Sequence, residues 1–404
     1  VMVVWKIVNL NSSIIWNGSC RDNVNADRED MKRKNRGTVL KLIATGRCSS
    51  RIELSKAMGV TKTAISKMVT ELMESGFLIE TRKQENAELG RNPIGLNIAE
   101  TAPLVIGVLI MRDYCEAVLC NMKLEILQHQ KVYQNWTDKE ELMETVYSLV
   151  DQMLYGAENV GGIGVASIGP LDVIEGVIEA PPYFNGIHDV PVMQLLKERY
   201  GLPVVCDNDN QSAALAEKMF GNGRDSKDIL LIGLANGVGC GIIVDNETYQ
   251  SSSGYTPEIG HLSIDYQGER CVCGNKGCLE LYLNSATVLK RMREATGKFY
   301  DYKTFCQLWE QPEISAIFED LVEKLAAGLV SAVNILNPEL IILGHNGAWW
   351  PEKYLQMLED GINSRKFSNK QTKIRVVPAF YSETTAVMGA VCNMLTKYFQ
   401  GEML

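Results

Sequence analysis

The chain lacks any run of about eighteen or more apolar residues, so nothing in it reads as a membrane-spanning helix. The apolar patch at its start, Val1-Met2-Val3-Val4-Trp5, is broken by Lys6 and Asn9 and is too short for a secretory core. A disulfide framework is missing too. The 11 cysteines are irregularly spaced along 404 residues, apart from one cluster. That usage fits a reducing compartment with a metal site, and a cytoplasmic location without membrane attachment is expected. What is present is enough apolar material, 46% of residues, to give two or three domains a core each.

Charge is unevenly distributed. From Met31 to Lys67, ten basic residues stand against Glu53 alone, so this segment carries +9 and the remainder −9 − 9 = −18. One end of an acidic chain is therefore built to meet a polyanion, unless the basic face is merely solvated. Residues 1–30 show no sustained periodicity and are expected to be an extension without a fold of its own ahead of a natural start at Met31, or else an added arm.

Residues 31–98 read as a winged helix-turn-helix. Val39, Leu40, Leu42 and Ile43 begin an apolar face; Ser50-Arg51-Ile52-Glu53 is a capping box, and Gly59 stands where a second helix needs a left-handed stop. Thr61 would cap a third helix in which Ile65, Met68, Val69 and Leu72 recur at helical spacing. That spacing leaves Lys62, Thr63, Ser66 and Lys67 outward, small polar and basic types suited to a major groove. Leu78 to Arg82 and Pro93 to Ile98 would be wing strands, with Arg91 near the tip as a further DNA contact. A protein-binding winged helix is the competing reading.

Residues 100–398 contain a weak internal repeat. Val105 to Ile110, a turn and Ala117 to Leu119 are echoed by Ile229 to Leu234, a glycine turn and Gly241 to Val244. Helical patterns follow each copy, which predicts two α/β lobes with a cleft between them. Within the second lobe, His261 is followed by Cys271-Val272-Cys273-Gly274-Asn275-Lys276-Gly277-Cys278. Four such ligands, with glycines to fold them around one ion, suit a closed structural zinc site. A disulfide or three unrelated buried thiols would be the alternatives, but cysteines one residue apart make a strained bridge.

Pro257-Glu258-Ile259-Gly260-His261, the cysteine run and Glu280 together resemble the signature of the ROK family, which groups sugar-responsive repressors with sugar kinases. The resemblance spans about residues 31–393 and implies an actin-like, ribonuclease H-like fold for both lobes, with the zinc loop at 258–280. It also implies sugar contacts at Asn208, Asp209, Glu258, His261 and Glu280, with Asp209 in the place of the kinase base. Carboxylates and amides suit polyols because each can bridge adjacent hydroxyls.

On the phosphate side the chain departs from the kinases. Where they carry Asp-x-Gly-Gly-Thr, this chain has Leu109-Ile110-Met111-Arg112-Asp113. Leu109 cannot hold a Mg²⁺-bound water, and side chains stand where glycines would admit a phosphate to backbone amides. Asn236-Gly237-Val238-Gly239-Cys240-Gly241 keeps its glycines, but His345 and Asn346 replace glycines at a further turn. In the loop after Pro182, Tyr183 and Ile187 replace the usual Asn and Trp, which is expected to change which sugar fits.

The reading is a DNA-binding, sugar-responsive repressor of carbohydrate genes, a non-enzyme in which Asp209 is a vestigial base. It would be a homodimer or homotetramer on operator DNA, with a sugar or sugar phosphate as effector. An ATP-dependent hexose kinase, and a regulator answering to a partner protein, are the alternatives.

Overall fold

The computed structural model describes residues 20–82, 94–367 and 371–404, with the backbone alone for residues 20–28, 82 and 94. The first element, α1 (Cys20–Ala44), takes in residues 20–30, which were expected to lack a fold. No apolar period marks that stretch. The helix instead extends backward from its buried anchors Val39, Leu40 and Ile43, aided by surface pairs Lys32–Glu29 at 2.6 Å and Lys34–Asp30 at 2.8 Å. Residues 1–19 lie outside the described residues.

Next come α2 (Arg51–Met58) and α3 (Lys62–Glu74). Ser50 caps α2 by accepting from the Glu53 amide at 3.3 Å, while the Glu53 carboxylate reaches the Ser49 amide at 2.6 Å, one residue ahead of the expected partner. Gly59 ends α2 at φ 64°, a left-handed turn suited to glycine, and Thr61 caps α3 by accepting from Ala64 at 3.3 Å. Ile65, Val69 and Leu72 of α3 are buried. Strands β1 (Leu78–Arg82) and β2 (Ile94–Ile98) pair antiparallel, Leu78 opposite Ile98, completing the arrangement of a winged helix. Arg91 and the tip around it lie outside the described residues.

The first lobe runs β3 (Leu104–Ile110), β4 (Tyr114–Cys120), β5 (Ile126–Tyr133), α4 (Lys139–Leu154), β6 (Val160–Ser167), a short hairpin β7 (Leu171–Asp172) and β8 (Val177–Ile178), α5 (Val192–Tyr200), β9 (Val204–Asn208) and α6 (Asp209–Met219). The second runs β10 (Ile229–Leu234), β11 (Val238–Val244), β12 (Glu247–Thr248), α7 (Leu279–Leu283), α8 (Ser285–Thr296), α9 (Tyr302–Gln307), α10 (Pro312–Leu336), β13 (Leu340–His345), α11 (Glu352–Arg365), β14 (Arg375–Pro378) and α12 (Thr385–Phe399).

The two five-stranded sheets have matching orders, β5-β4-β3-β6-β9 and β12-β11-β10-β13-β14. In each, three antiparallel strands are followed by two parallel ones. The sequence echo between residues 105–119 and 229–244 is thus the pair of opening hairpins.

Buried side chains form two clusters. One joins the winged helix, the first lobe and α12, and the other fills the second lobe. Glycines let elements cross closely. A Cβ on Gly37 of α1 would lie 2.7 Å from Gly401 N and closer still to Phe399 O, so α1 lies directly on the end of α12. A Cβ on Gly389 of α12 would lie 2.8 Å from Ala213 N and run into Ser212 O, and Asn393 donates to Ser212 Oγ at 2.8 Å, pinning α12 against α6. Beyond α6, Arg224 donates to Thr45 O at the end of α1, and Arg47 donates to Arg224 O. Among the described residues no helix is long and apolar enough to cross a membrane.

Candidate functional site

The cleft is assembled from strand ends, where backbone stops pairing and side chains are free to converge. Asn208 closes β9 and caps α6, its Oδ1 accepting from the Asn210 amide at 3.0 Å and the Gln211 amide at 3.4 Å. Asp209 then stands at the first position of α6, where the helix dipole favours a carboxylate. Gln211 ties α6 to the second lobe by bonding both backbone groups of Ile242, at 3.0 and 3.1 Å.

Asn208, Asp209, Glu258 and Glu280 all line one cavity of about 70 Å³, together with Met111, Arg112, Asn210, the Gly237 turn and His345. The sequence brought these four together, and the fold does the same. His261 does not line it. Its Nδ1 lies 3.6 Å from Cys271 Sγ, in the neighbouring cysteine cluster. Tyr183 and Ile187 are not among the lining residues either. Burial pushes the Glu258 carboxyl up to about 7, with the nearby Asp209 and Glu280 charges adding to the rise and Arg112 opposing it. Near neutrality Glu258 therefore has access to its protonated form, which can donate to a hydroxyl as well as accept.

The glycines of the 236–241 turn have a local use. The Glu280 carboxylate accepts from the Val238 amide at 3.1 Å, and a Cβ on Gly237 would lie 2.8 Å from that same oxygen. A Cβ on Gly239 would lie 3.0 Å from Asn210 Cγ. These glycines make room for an internal carboxylate and amide. The adjoining turn is closed by Asn346 donating to Ser285 Oγ at 2.7 Å, which itself donates to Ala235 O at 2.8 Å. At the other turn Leu109, Ile110 and Met111 are buried, the Met111 amide bonds Tyr114 O at 2.9 Å, and Arg112 Nε donates to Pro182 O at 2.9 Å. One amide in each of the turns that would have to face a phosphate, Met111 in the first and Val238 in the second, is engaged internally.

His345 is one of the lining residues that sequence reasoning did not place in the site. It ends β13, whose parallel register sets it opposite Leu234, and it adopts φ 50°, ψ −129°. A side chain there is strained by about 1–3 kcal/mol, a cost that a glycine would avoid. Its Nε2 lies 3.4 Å from Asp209 Oδ2 without hydrogen-bond alignment. The replacement of a family glycine was the signal available in the sequence; the contact with Asp209, 136 positions earlier by 345 − 209, was not.

A second constellation adjoins the cleft. One ligand atom from each of His261, Cys271, Cys273 and Cys278 lies within 4.8 Å of all the others, and Cys273 Sγ and Cys278 Sγ are 3.6 Å apart. The thiols are free, not bridged. The Cys271 amide bonds Asn275 O at 2.8 Å, a tight turn that aims the sulfurs inward. These four donors could hold one metal ion, and they are carried on the loop between Glu258 and Glu280.

At the other end of the molecule, Lys62, Thr63, Ser66 and Lys67 are exposed on the first turns of α3.

A winged helix followed by paired sheets of this topology, with a polar cleft between them, defines a two-lobed ribonuclease H-like protein carrying a helix-turn-helix module. The chain belongs to the ROK family, whose model matches residues 105–397. It is 26% identical over 388 residues to the xylose repressor of Caldicellulosiruptor bescii, covering 91% of this chain and 96% of that protein. A solved ROK family transcriptional regulator, described as a homologue of the Escherichia coli MLC protein, superposes with a TM-score of 0.78 at 25% identity, covering 93% of this chain and 98% of that one. The ROK glucokinase of Streptomyces griseus, solved with glucose and AMPPNP, shares the fold at a TM-score of 0.63 and 23% identity, covering 71% of this chain and 98% of its own.

Proposed function

We propose that this chain is a sugar-responsive DNA-binding transcriptional repressor of carbohydrate genes and not a kinase. The observation that carries this reading is the Val238 amide held by Glu280, at the turn where a nucleotide phosphate would need free amides. Phosphoryl transfer depends almost wholly on positioning and charge stabilisation of the phosphates, so a site without a phosphate cradle has no route to it. Asn208, Asp209, Glu258 and Glu280 remain in the cleft as polyol contacts, with Asp209 a vestigial base. The relative named a xylose repressor, matched along nearly its whole length, supports the same reading.

Lys62, Thr63, Ser66 and Lys67 would enter the major groove, and Arg91, outside the described residues, would contact DNA from the wing. A homodimer or homotetramer would set two such helices on a near-palindromic operator. A sugar that prefers one arrangement of the lobes changes operator affinity through linkage, with a coupling of about 1–3 kcal/mol.

The metal that fits His261, Cys271, Cys273 and Cys278 best is zinc. Tetrahedral ligation with Zn–S of about 2.3 Å and Zn–N of about 2.0 Å requires S···S near 3.8 Å and S···N near 3.5 Å. The 3.6 Å separations of Cys273 from Cys278 and of His261 from Cys271 agree. Zinc would supply a cross-link only, with no ligand position left open. The protein's part is to aim Glu258 and Glu280, at the two ends of the loop, into the cleft; a second role for His261 as a sugar contact needs a ring atom on the cavity wall.

Fluorescence anisotropy on DNA from upstream of the gene and its neighbours, titrated with pentoses, hexoses, amino sugars and their phosphates, tests this reading. Specific binding that one sugar alters is expected. ATP-dependent phosphorylation of a sugar, lost in Asp209→Asn, would reverse the assignment.

A further inference from the structure

The loop that follows β12 crosses from the second lobe to the first. Its base is tied to β11, where the Tyr249 amide bonds Ile242 O at 2.9 Å and Cys240 Sγ donates to Pro257 O at 3.3 Å. Its tip is braced on itself, the Gly254 amide bonding Ser251 O at 3.1 Å and Ser251 Oγ donating to Tyr255 O at 2.6 Å. From that tip the Tyr255 hydroxyl donates to Glu179 Oε1 of the first lobe at 2.6 Å. Gly254, at φ 81°, brings the backbone against the β7–β8 hairpin, since a Cβ there would lie 3.5 Å from Ile174 Cδ1. Glu179 is fixed from its own side, its amide bonding Pro170 O at 3.1 Å and its carbonyl accepting from the Asp189 amide at 2.7 Å. Every other hydrogen bond between the lobes among the described residues is made at α6, the loop after it or α12. The Tyr255–Glu179 bond instead stands beside the cavity, whose lining includes Gly169 on the first lobe and Thr256, Pro257 and Glu258 immediately after Tyr255.

We infer that Tyr255 and Glu179 form a latch that holds the two lobes together over the cavity, in the arrangement the effector prefers, and so biases operator affinity even with no sugar bound. This inference rests on reading the chain as a repressor with its effector in the cleft. A hydroxyl bonded to a carboxylate is a strong single bond. It is backed by little apolar burial, Tyr255 being 42% and Ile174 68% exposed. A joint of that kind closes firmly and opens readily, as a latch must. Neither Tyr255 nor Glu179 lines the cavity, so they act on the effector through closure and not through contact, as positioning residues. Linkage then fixes the sign. Latch and sugar favour the same arrangement, so losing the latch raises the sugar concentration required and moves sugar-free operator affinity opposite to the shift that sugar causes, whichever sign that shift has.

The test is calorimetric titration of the full chain with D-xylose, D-glucose, N-acetyl-D-glucosamine and the 6-phosphates of the two hexoses, with operator anisotropy alongside, on wild type, Tyr255→Phe, Glu179→Ala, Glu179→Gln and the Tyr255→Phe/Glu179→Ala pair. Whichever probe moves operator binding in the wild type is expected to bind Tyr255→Phe about fivefold more weakly. Sugar-free operator affinity of that variant should shift in the opposite sense to the sugar's own effect. The double variant should be no weaker than either single one, because one bond is lost in all three. Glu179→Gln, which keeps an acceptor for the tyrosine hydroxyl, should retain most of the response. A Tyr255→Phe protein that binds sugar and operator as the wild type does overturns the inference, and so does one that binds sugar more tightly, since the bond would then be a barrier to entry. Both of those outcomes leave the repressor reading standing. If no probe moves operator binding in the wild type, the effector reading falls and this inference with it.

Discussion

Gly37→Ala separates the two halves of the molecule without touching either site. Gly37 lies on α1 where it crosses the end of α12, and an added Cβ would stand 2.7 Å from Gly401 N and nearer to Phe399 O. Both neighbours are backbone, so neither can rotate away, and α1 must lift by several tenths of an ångström. Overpacking of this kind costs about 1–3 kcal/mol. Alanine returns about 1 kcal/mol of helix propensity, but to α1 itself and not to the contact. Net stability therefore falls by about 1 kcal/mol, while the docking of the winged helix weakens by an amount comparable with a whole allosteric coupling of about 1–3 kcal/mol. A loss of about 2 kcal/mol at the contact is a factor of about thirty in the docking equilibrium. The assay is operator affinity by anisotropy with and without a saturating effector. The ratio of the two should fall several-fold in Gly37→Ala, with sugar affinity and metal content unchanged. A variant that keeps the wild-type ratio refutes the reasoning that the signal crosses from α12 to α1.

Further outcomes are expected elsewhere. Cys273→Ser should lower zinc content and effector sensitivity together, read by metal analysis and by the sugar concentration needed for half-release of operator; normal induction without zinc would break the link between loop and cleft. Lys62→Ala and Lys67→Ala should each weaken operator binding and flatten the logarithmic salt dependence by about one ion. An unchanged slope would remove that residue from the phosphate contacts.

The signals that could be read along the chain were those written in short segments. Ser50, Gly59 and Thr61 fix α2 and α3 by local hydrogen bonds and backbone, and the run from Cys271 to Cys278 places three thiols within one turn, so spacing sufficed to bring them together. The hairpin repeat was visible because each copy is contiguous. His345 was not, since it meets Asp209 only after parallel pairing of β10 with β13 across more than a hundred residues. The glycines at 237 and 239 could be read only as kept turn glycines; what they accommodate, Glu280 and Asn210, comes from other parts of the chain. The start of α1 was hidden for a different reason, its surface ion pairs leaving no apolar period.

The crossing of α6 and α12 at Ser212 has a mechanical consequence. Ser212 lies three residues from Asp209 and seven from Met219, so at a rise of about 1.5 Å per residue the arms on either side measure about 4.5 and 10.5 Å. A rod held at that point has unequal leverage: a shift of about 0.5 Å at the cleft reaches the far end of α6 as about 1.2 Å. Just beyond that far end, Arg224 grips the last carbonyl region of α1. If α6 turned as a rod about that crossing, a displacement smaller than a bond length at the cleft would reach the root of the winged helix more than doubled.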